Sequence, residues 1–409
     1  MHVVIFEGSQ WTDFVPFSLT RPVFSLRVGA GTLLQKQIRA TRPTRVTLWV
    51  RPEMEPFVER YIRPELSIPC QVNTPLDDEP AMIFSARTVH FATVERPENE
   101  CVVLEEEDHL IRMAYVRCPG LTHEDVLQRS LRWLGLRELP QSMPQARFPR
   151  HWADLVAWNE EAIMADSIYW TQPAPEDRRI CLIDSENIHA EPDVHIGPQV
   201  VLDASKGPIL IDKGVSIGAS SIIEGPCYIG MGCRITPLTL IRPGTSLGPC
   251  CRIGGEVNNS IFQSYSNKSH DGFVGDSYVG EWVNLGAGTT TSNLKSTYGL
   301  IKLHLGSHTV QSERVLLGCA IGDHAKTATH TQLLAGSYIG VSSLVTLSQR
   351  VPHVVPSFSF WTDSEKTSMD VSKAIEIAGR MLIRRSRTLE AEDQNLLRYA
   401  AEIARELGY

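Results

Sequence analysis

The stretch NKSHDGFVGD (267–276) sets an imidazole, His270, between Lys268 and Asp271. Histidine is the side chain whose ordinary pKa lies near neutrality, so it can take a proton from a nucleophile and pass it on. A base held in place contributes about 10²–10⁴-fold to a rate, and Asp271 is a carboxylate that could orient the ring. Shortly afterwards comes VNLGAGTTTSN (283–293), whose small residues let a ligand approach the backbone closely. Together the two segments suit a site where a positioned base meets a ligand held close to the backbone. A loop histidine has no such task by itself, so the elements that hold it decide the matter.

Those elements are a repeat. Every sixth residue from Ile211 is aliphatic: Ile217, Ile223, Ile229, Ile235, Ile241, Leu247 and Ile253 follow without a miss. Gly218, Gly230, Gly248 and Gly254 come directly after four of them, and the fifth position of each unit is small or β-branched (Val215, Ser221, Cys227, Cys233, Thr239, Thr245, Cys251, Val257). The pattern resumes in another phase at Val279, Leu285 and Thr291, then at Val315, Ile321, Thr327, Leu333, Ile339 and Val345. An amphipathic helix needs spacings of three and four, and an alternating strand needs two. A strict six with glycine predicts a parallel β-helix, three hexads closing a coil of roughly 18 residues. The change of phase between Ile253 and Val279 predicts an arm, residues 258–273, that leaves the prism and carries His270.

The flanks read differently. Residues 1–168 predict an α/β domain, with VVIF (3–6) and VTLWV (46–50) as buried strands and 31–40 and 122–136 as helices, closing on a linking helix at 151–168. The β-helix spans 180–357. Two helical stripes follow within 369–409, one carrying Val371, Ala374, Ile375, Ala378, Met381 and Leu382, and they are expected to cover an open end of the solenoid. A net charge of −8 argues against a nucleic-acid or membrane-surface partner. No uncharged apolar run approaches the roughly 18 residues of a membrane span, and the N-terminus lacks the build of a secretory signal. Nine cysteines without CxxC spacing argue against a disulfide framework or a metal site, so a reduced, cytoplasmic protein is expected.

The order RPGT (242–245), SHDGFVGDSYVG (269–280) and NLGAGTTTSN (284–293) resembles the acetyltransferase half of the bifunctional N-acetylglucosamine-1-phosphate uridyltransferase/glucosamine-1-phosphate acetyltransferase family, where the segments read close to AGHLTYLGD and NIGAGTITCN. The wording around 260–290 and IGDHAKTATHT (321–331) is more similar to an alternative bacterial and archaeal branch of these proteins. The resemblance implies a left-handed β-helix, a homotrimer, and acetyl-CoA as co-substrate. It implies His270 as the catalytic base, Arg242 as a phosphate contact, Asn284 and Asn293 as residues orienting the sugar amine, and Ala287 as a backbone contact to the acetyl donor. Lys326 is a candidate for a coenzyme A phosphate. Phe273, Leu294 and Asn258 stand where the family has two tyrosines and a lysine, which leaves the identity of the acceptor open.

The N-terminal region resembles the shortened sugar nucleotidyltransferase-like domain of the same branch. Only Gly8 stands where the family's glycine-rich phosphate loop belongs, and TRP (20–22) appears instead. Arg21, Arg27 and Lys36 are the candidates for gripping a nucleoside triphosphate, and Mg²⁺ chemistry would call on Asp77 and Asp78. The resulting expectation is a transferase of nucleotide-sugar synthesis with both activities. Two other readings compete: a nucleotidyltransferase whose β-helix only regulates or oligomerises, and a non-catalytic trimeric scaffold, for which a titrating residue at 270 would have no use.

Overall fold

The structure, a computed structural model, describes residues 1–104, 110–128, 131, 134–139, 146–305 and 308–408. They form two compact units. The first comprises Met1–Phe14, Arg21–Leu26 and Gly31–Arg150, and the second comprises Val15–Thr20, Arg27–Ala30 and His151–Tyr409.

The first unit is built on a mixed sheet of β1 (His2–Phe6), β2 (Arg45–Trp49), β3 (Cys70–Val72), β4 (Ala81–Ser85), β5 (Cys101–Leu104), β6 (Ile111–Val116) and β7 (Arg137–Glu138), in the order β7-β5-β6-β4-β1-β2-β3. β1 is parallel to both β2 and β4 and buried along its whole length, which is why it reads as an unbroken apolar run. Helix α1 (Leu33–Thr41) makes the crossover from β1 to β2. It starts at Thr32, whose hydroxyl accepts from Gln35 N while Gln35 Oε1 accepts from Thr32 N at 2.8 Å, a reciprocal cap. The helix expected over 122–136 is found over His123–Gln128, capped by Thr122, and residues 129, 130, 132 and 133 of that stretch lie outside the described ones.

The second unit is a three-sided parallel β-helix. Its first face has nine strands from Ile188–Ala190 to Val354–Val355, its second starts with five from His195–Ile196 to Asn267–Lys268, and its third has six from Cys181–Ile183 to Phe273–Gly275. Ile217 pairs with Ile235 and Ile235 with Ile253, so each aliphatic stacks on the one a coil earlier. The fifth-position residues from Val215 to Val257 are buried too, which explains why Cys227, Cys233 and Cys251 occur there as small apolar fillers. Burial pushes the Cys227 thiol far above its ordinary pKa, leaving it unreactive.

The phase change has a different cause from the expected one. Residues 258–273 do not form an arm: Glu256–Asn258, Ile261–Phe262, Asn267–Lys268 and Phe273–Gly275 are all rungs of the stack. The coils are merely short, since Ile253 pairs with Lys268, fifteen positions on, and Val257 with Val274, seventeen on. The larger departure lies between Thr290–Thr291 and Ala320–Ile321, where Lys302–Leu305 and His308–Gln311 form an antiparallel hairpin. Val315, counted above as a core position, belongs to this insertion and is exposed.

The linking helix breaks at Trp158 into α2 (Trp152–Ala157) and α3 (Asn159–Asp166). Buried Asn159 ties α3 to the first face by donating to Gly244 O at 2.7 Å and accepting from Ser246 Oγ at 3.1 Å. The C-terminal helices are α4 (Val371–Ile383), capped by Asp370, and α5 (Ala391–Glu406). They do not plug an end of the solenoid. Arg385, in the link between them, donates to Cys250 O in the middle of the stack at 3.1 Å, while the last second-face rung, Ser359–Thr362, is covered by the antiparallel strand Lys366–Ser368. Among the described residues, no helix is long and apolar enough to cross a membrane.

Candidate active site

Each passage from the second face to the third makes a corner, and successive corners stack. His270 lies on one of them, between Asn267–Lys268 and Phe273–Gly275, and its side chain is exposed. The next corner is Gly286–Thr289. Register puts Asn267 beside Asn284 and Asn284 beside Lys326, so Ala287 occupies the position equivalent to His270 one coil on, and His330 the position equivalent to Gly288 one coil further. The backbone links agree: Gly288 N donates to Asp271 O at 3.2 Å, and His330 N donates to Ala287 O at 2.6 Å. The ring of His330 lies over Gly288, where a Cβ would meet Nδ1 at 2.4 Å.

The second face beside this edge is polar. Asn267 donates to Asn284 Oδ1 at 2.9 Å and accepts from Ser269 Oγ at 2.6 Å. Lys326 continues the ladder, donates to His324 O at 2.8 Å, and is pushed down to a pKa of about 8 by burial. Lys268 points the other way, into the prism. Its Nζ reaches back to Gly254 O at 2.6 Å and to the carbonyl of His270 at 3.0 Å, which fixes the histidine's backbone from inside. Burial lowers its pKa to about 8 as well, against the opposing pull of Asp271 and Glu256.

His270, Ala287, Asn284 and Lys326 thus come together on one edge and its adjoining face. Arg242 and Asn293 lie across the third face. Arg242 donates from Nε to Glu256 Oε1 at 2.6 Å, which raises its pKa. Asn293 donates to Asp276 at 2.6 Å, and the same carboxylate holds Asn259 at 2.6 Å. Asp271 makes no hydrogen bond to the His270 ring. His330 and Lys268 were not singled out by sequence as site residues; that His330 stacks on the Gly288 corner and that Lys268 takes the inward place opposite Ile253 become visible only once the short coils are aligned.

The first unit carries a separate cleft. Its chain runs from β1 to β2 and β3 on one side of the sheet and returns to β4 on the other, so β1 and β4 flank the switch point where open sheets of this kind bind ligands. A cleft of about 250 Å³ opens there, lined by Phe6, Gly8, Gln10, Ser85, Val126 and Gln128 among others. Glu7, fully buried beside it, accepts from Val23 N at 2.9 Å and pairs with Arg51 at 3.4 Å; burial raises its pKa. The three basic candidates do not line this cleft. Lys36 and Arg21 are buried, with the Arg21 carbonyl accepting from Arg51, and Arg27 belongs to the second unit, where its backbone N–H donates to Tyr278 Oη at 2.8 Å. Asp77 is committed to a two-pronged salt bridge with Arg45 at 2.5 and 2.8 Å, which holds its pKa down at about 2. Among the described residues, no three His, Cys, Asp or Glu side chains converge as a metal site.

Residues 3–172 match the sugar nucleotidyl transferase family. The chain is 30% identical over 210 residues to the bifunctional protein GlmU of Nitrosospira multiformis, covering 44% of this chain and 42% of that one. The chain resembles the GlmU family of bifunctional proteins. It is also 37% identical over 137 residues to the bifunctional sugar-1-phosphate nucleotidylyltransferase/acetyltransferase of Sulfurisphaera tokodaii, covering 33% and 34% of the two chains. The GlmU-like stretches span less than half the length of these curated relatives. A solved UDP-N-acetylglucosamine acyltransferase of Francisella novicida overlaps 56% of this chain and 90% of its own at 14% identity, with a TM-score of 0.27, too slight a likeness to bear on the fold. The chain thus combines an α/β domain that matches the sugar nucleotidyl transferase family with a parallel β-helix and C-terminal helices.

Proposed function

We propose that this GlmU-like protein carries two activities of nucleotide-sugar synthesis. The β-helix moves an acetyl group from acetyl-CoA to the amine of an amino-sugar phosphate, and the first unit joins a sugar phosphate to a nucleotide with release of pyrophosphate. The observation that carries the first half is the stacking of exposed His270 beneath Ala287, next to the ladder of Asn267, Asn284 and Lys326. The amine attacks the thioester carbonyl, His270 takes the amine's proton, and the C–S bond breaks to release coenzyme A as thiol once that proton is returned. Ala287 offers backbone to the donor, Asn284 and Asn293 orient the amine, and Arg242 meets the acceptor's phosphate. A homotrimer and a cytoplasmic location belong to the same reading.

Support for the second half is the cleft at the switch point of a domain matching the sugar nucleotidyl transferase family. Arg21, Arg27 and Lys36 do not line that cleft, so the reading rests instead on Gly8, Gln10 and Ser85. No step is assigned to Mg²⁺, because Asp77 is held by Arg45.

The deciding experiment measures thiol release from acetyl-CoA with a panel of amino-sugar phosphates, wild type against His270→Ala. Turnover by wild type and a loss of about 10²–10⁴-fold in the variant are expected. Wild-type protein inert toward every acceptor sinks the acetyl-transfer reading. Pyrophosphate release from UTP or dTTP tests the first unit separately.

A further inference from the structure

Earlier along the same second face lies a group of positive charges that no acid balances. Arg234 and Arg252 are direct register partners there, so their side chains leave the sheet on the same side about 4.8 Å apart. Arg385 reaches in from the link between α4 and α5, where its bond to Cys250 O sets it two residues from Arg252. The neighbouring residue Arg387 stacks 4.9 Å over the ring of Tyr265 and bonds its hydroxyl, which holds the link in place. Burial lowers the Arg385 pKa first, and the positive charges of Arg252 and Arg234 lower it further. Among the described residues no carboxylate pairs with any of the three, and Nε of Arg252 is buried without a partner.

Like charges directly opposite on neighbouring strands destabilise a sheet. A bound anion would remove that repulsion and satisfy the unused N–H groups. We propose that Arg234, Arg252 and Arg385 form a binding site for a phosphoryl anion. Guanidinium forks match phosphate oxygens two at a time, and they are less strongly hydrated than ammonium groups, so the pairing favours phosphate over a singly charged ion. The site lies on rungs preceding the His270 corner and stands whether or not acetyl transfer is the reaction. Because Arg385 comes from the C-terminal link, the anion would also pin α4 and α5 to the stack.

The test is calorimetric titration of the full chain at low ionic strength with inorganic pyrophosphate and, separately, with adenosine 3′,5′-bisphosphate, for wild type, Arg252→Gln and Arg385→Gln. We expect saturable binding that weakens about tenfold or more in each variant and falls with added salt. Pyrophosphate binding as well as the bisphosphate supports a free anion as the ligand; clearly tighter bisphosphate binding supports the phosphates of a nucleotide-bearing ligand. No binding of either probe, or affinity unchanged in both variants, overturns the proposal. The melting temperature of Arg252→Gln without anion should not fall, since it loses a repulsion and a guanidinium whose buried Nε has no partner, whereas Arg385→Gln also gives up its bond to Cys250 O. Should Arg385→Gln fail to fold, Arg234→Gln at its exposed position provides the same comparison.

Discussion

Lys268 pairs with Ile253 in the inward register of the second face, so an ammonium group stands where the stack otherwise carries an aliphatic side chain. The fold accepts it because the coil is short there and the amine can turn toward the corner, onto the carbonyls of Gly254 and His270. A buried charge is tolerated only with such partners, and it still costs stability.

That cost has a pH signature. The folded pKa of Lys268, about 8, lies below its ordinary value of 10.5, and Lys326 behaves alike. Between those values the unfolded chain holds more protons than the folded one, so stability rises with pH from about 8 to 10.5, and below 8 the full penalty applies. Thermal unfolding of Lys268→Met should show a higher melting temperature than wild type at pH 7, by up to about 2–3 kcal/mol in stability, with the difference shrinking toward pH 10.5. A gain independent of pH would mean that packing, not charge, is responsible.

Gly288 has φ +74 and lies under the His330 ring. Gly288→Ala adds both backbone strain and a clash, with an expected loss of about 1–3 kcal/mol. Pairing it with His330→Ala should recover the clash but not the strain. Equal melting temperatures for the single and double variants would show that the ring simply swings aside.

Asp276 holds the amides of Asn259 and Asn293 together. Under the proposed acetyl transfer, Asp276→Ala frees Asn293, and the KM for the amino-sugar phosphate should rise about tenfold with kcat much less affected. Steady-state kinetics on the accepted substrate would settle it; an unchanged KM removes Asn293 from substrate binding.

Gly8 borders the cleft of the first unit, and a Cβ there would meet Gln10 Oε1 at 2.9 Å. Gly8→Val should lower pyrophosphate release from UTP or dTTP at least about tenfold by narrowing the cleft, while circular dichroism shows the fold retained. Arg21→Ala is the companion: because Arg21 does not line the cleft, any loss it causes should come with a lower melting temperature.

The β-helix was legible in the sequence because its constraint is local and repeated. Each coil must stack an aliphatic on the one before, so Ile211 through Ile253 announce the fold by spacing alone, and β1 and α1 are legible for similar reasons of burial and capping. The shape of the corner around His270 was not legible. A change of phase is the same in sequence whether residues are inserted into an arm or dropped from a coil, and only the pairing of Ile253 with Lys268 shows that they were dropped. Nor could spacing show that His270 and Ala287 share an edge, that Arg27 bonds to Tyr278 instead of lining the first unit's cleft, or that Arg385 comes to lie near Arg252. Those relationships join residues far apart in the chain, and the stacking of coils of unequal length decides them.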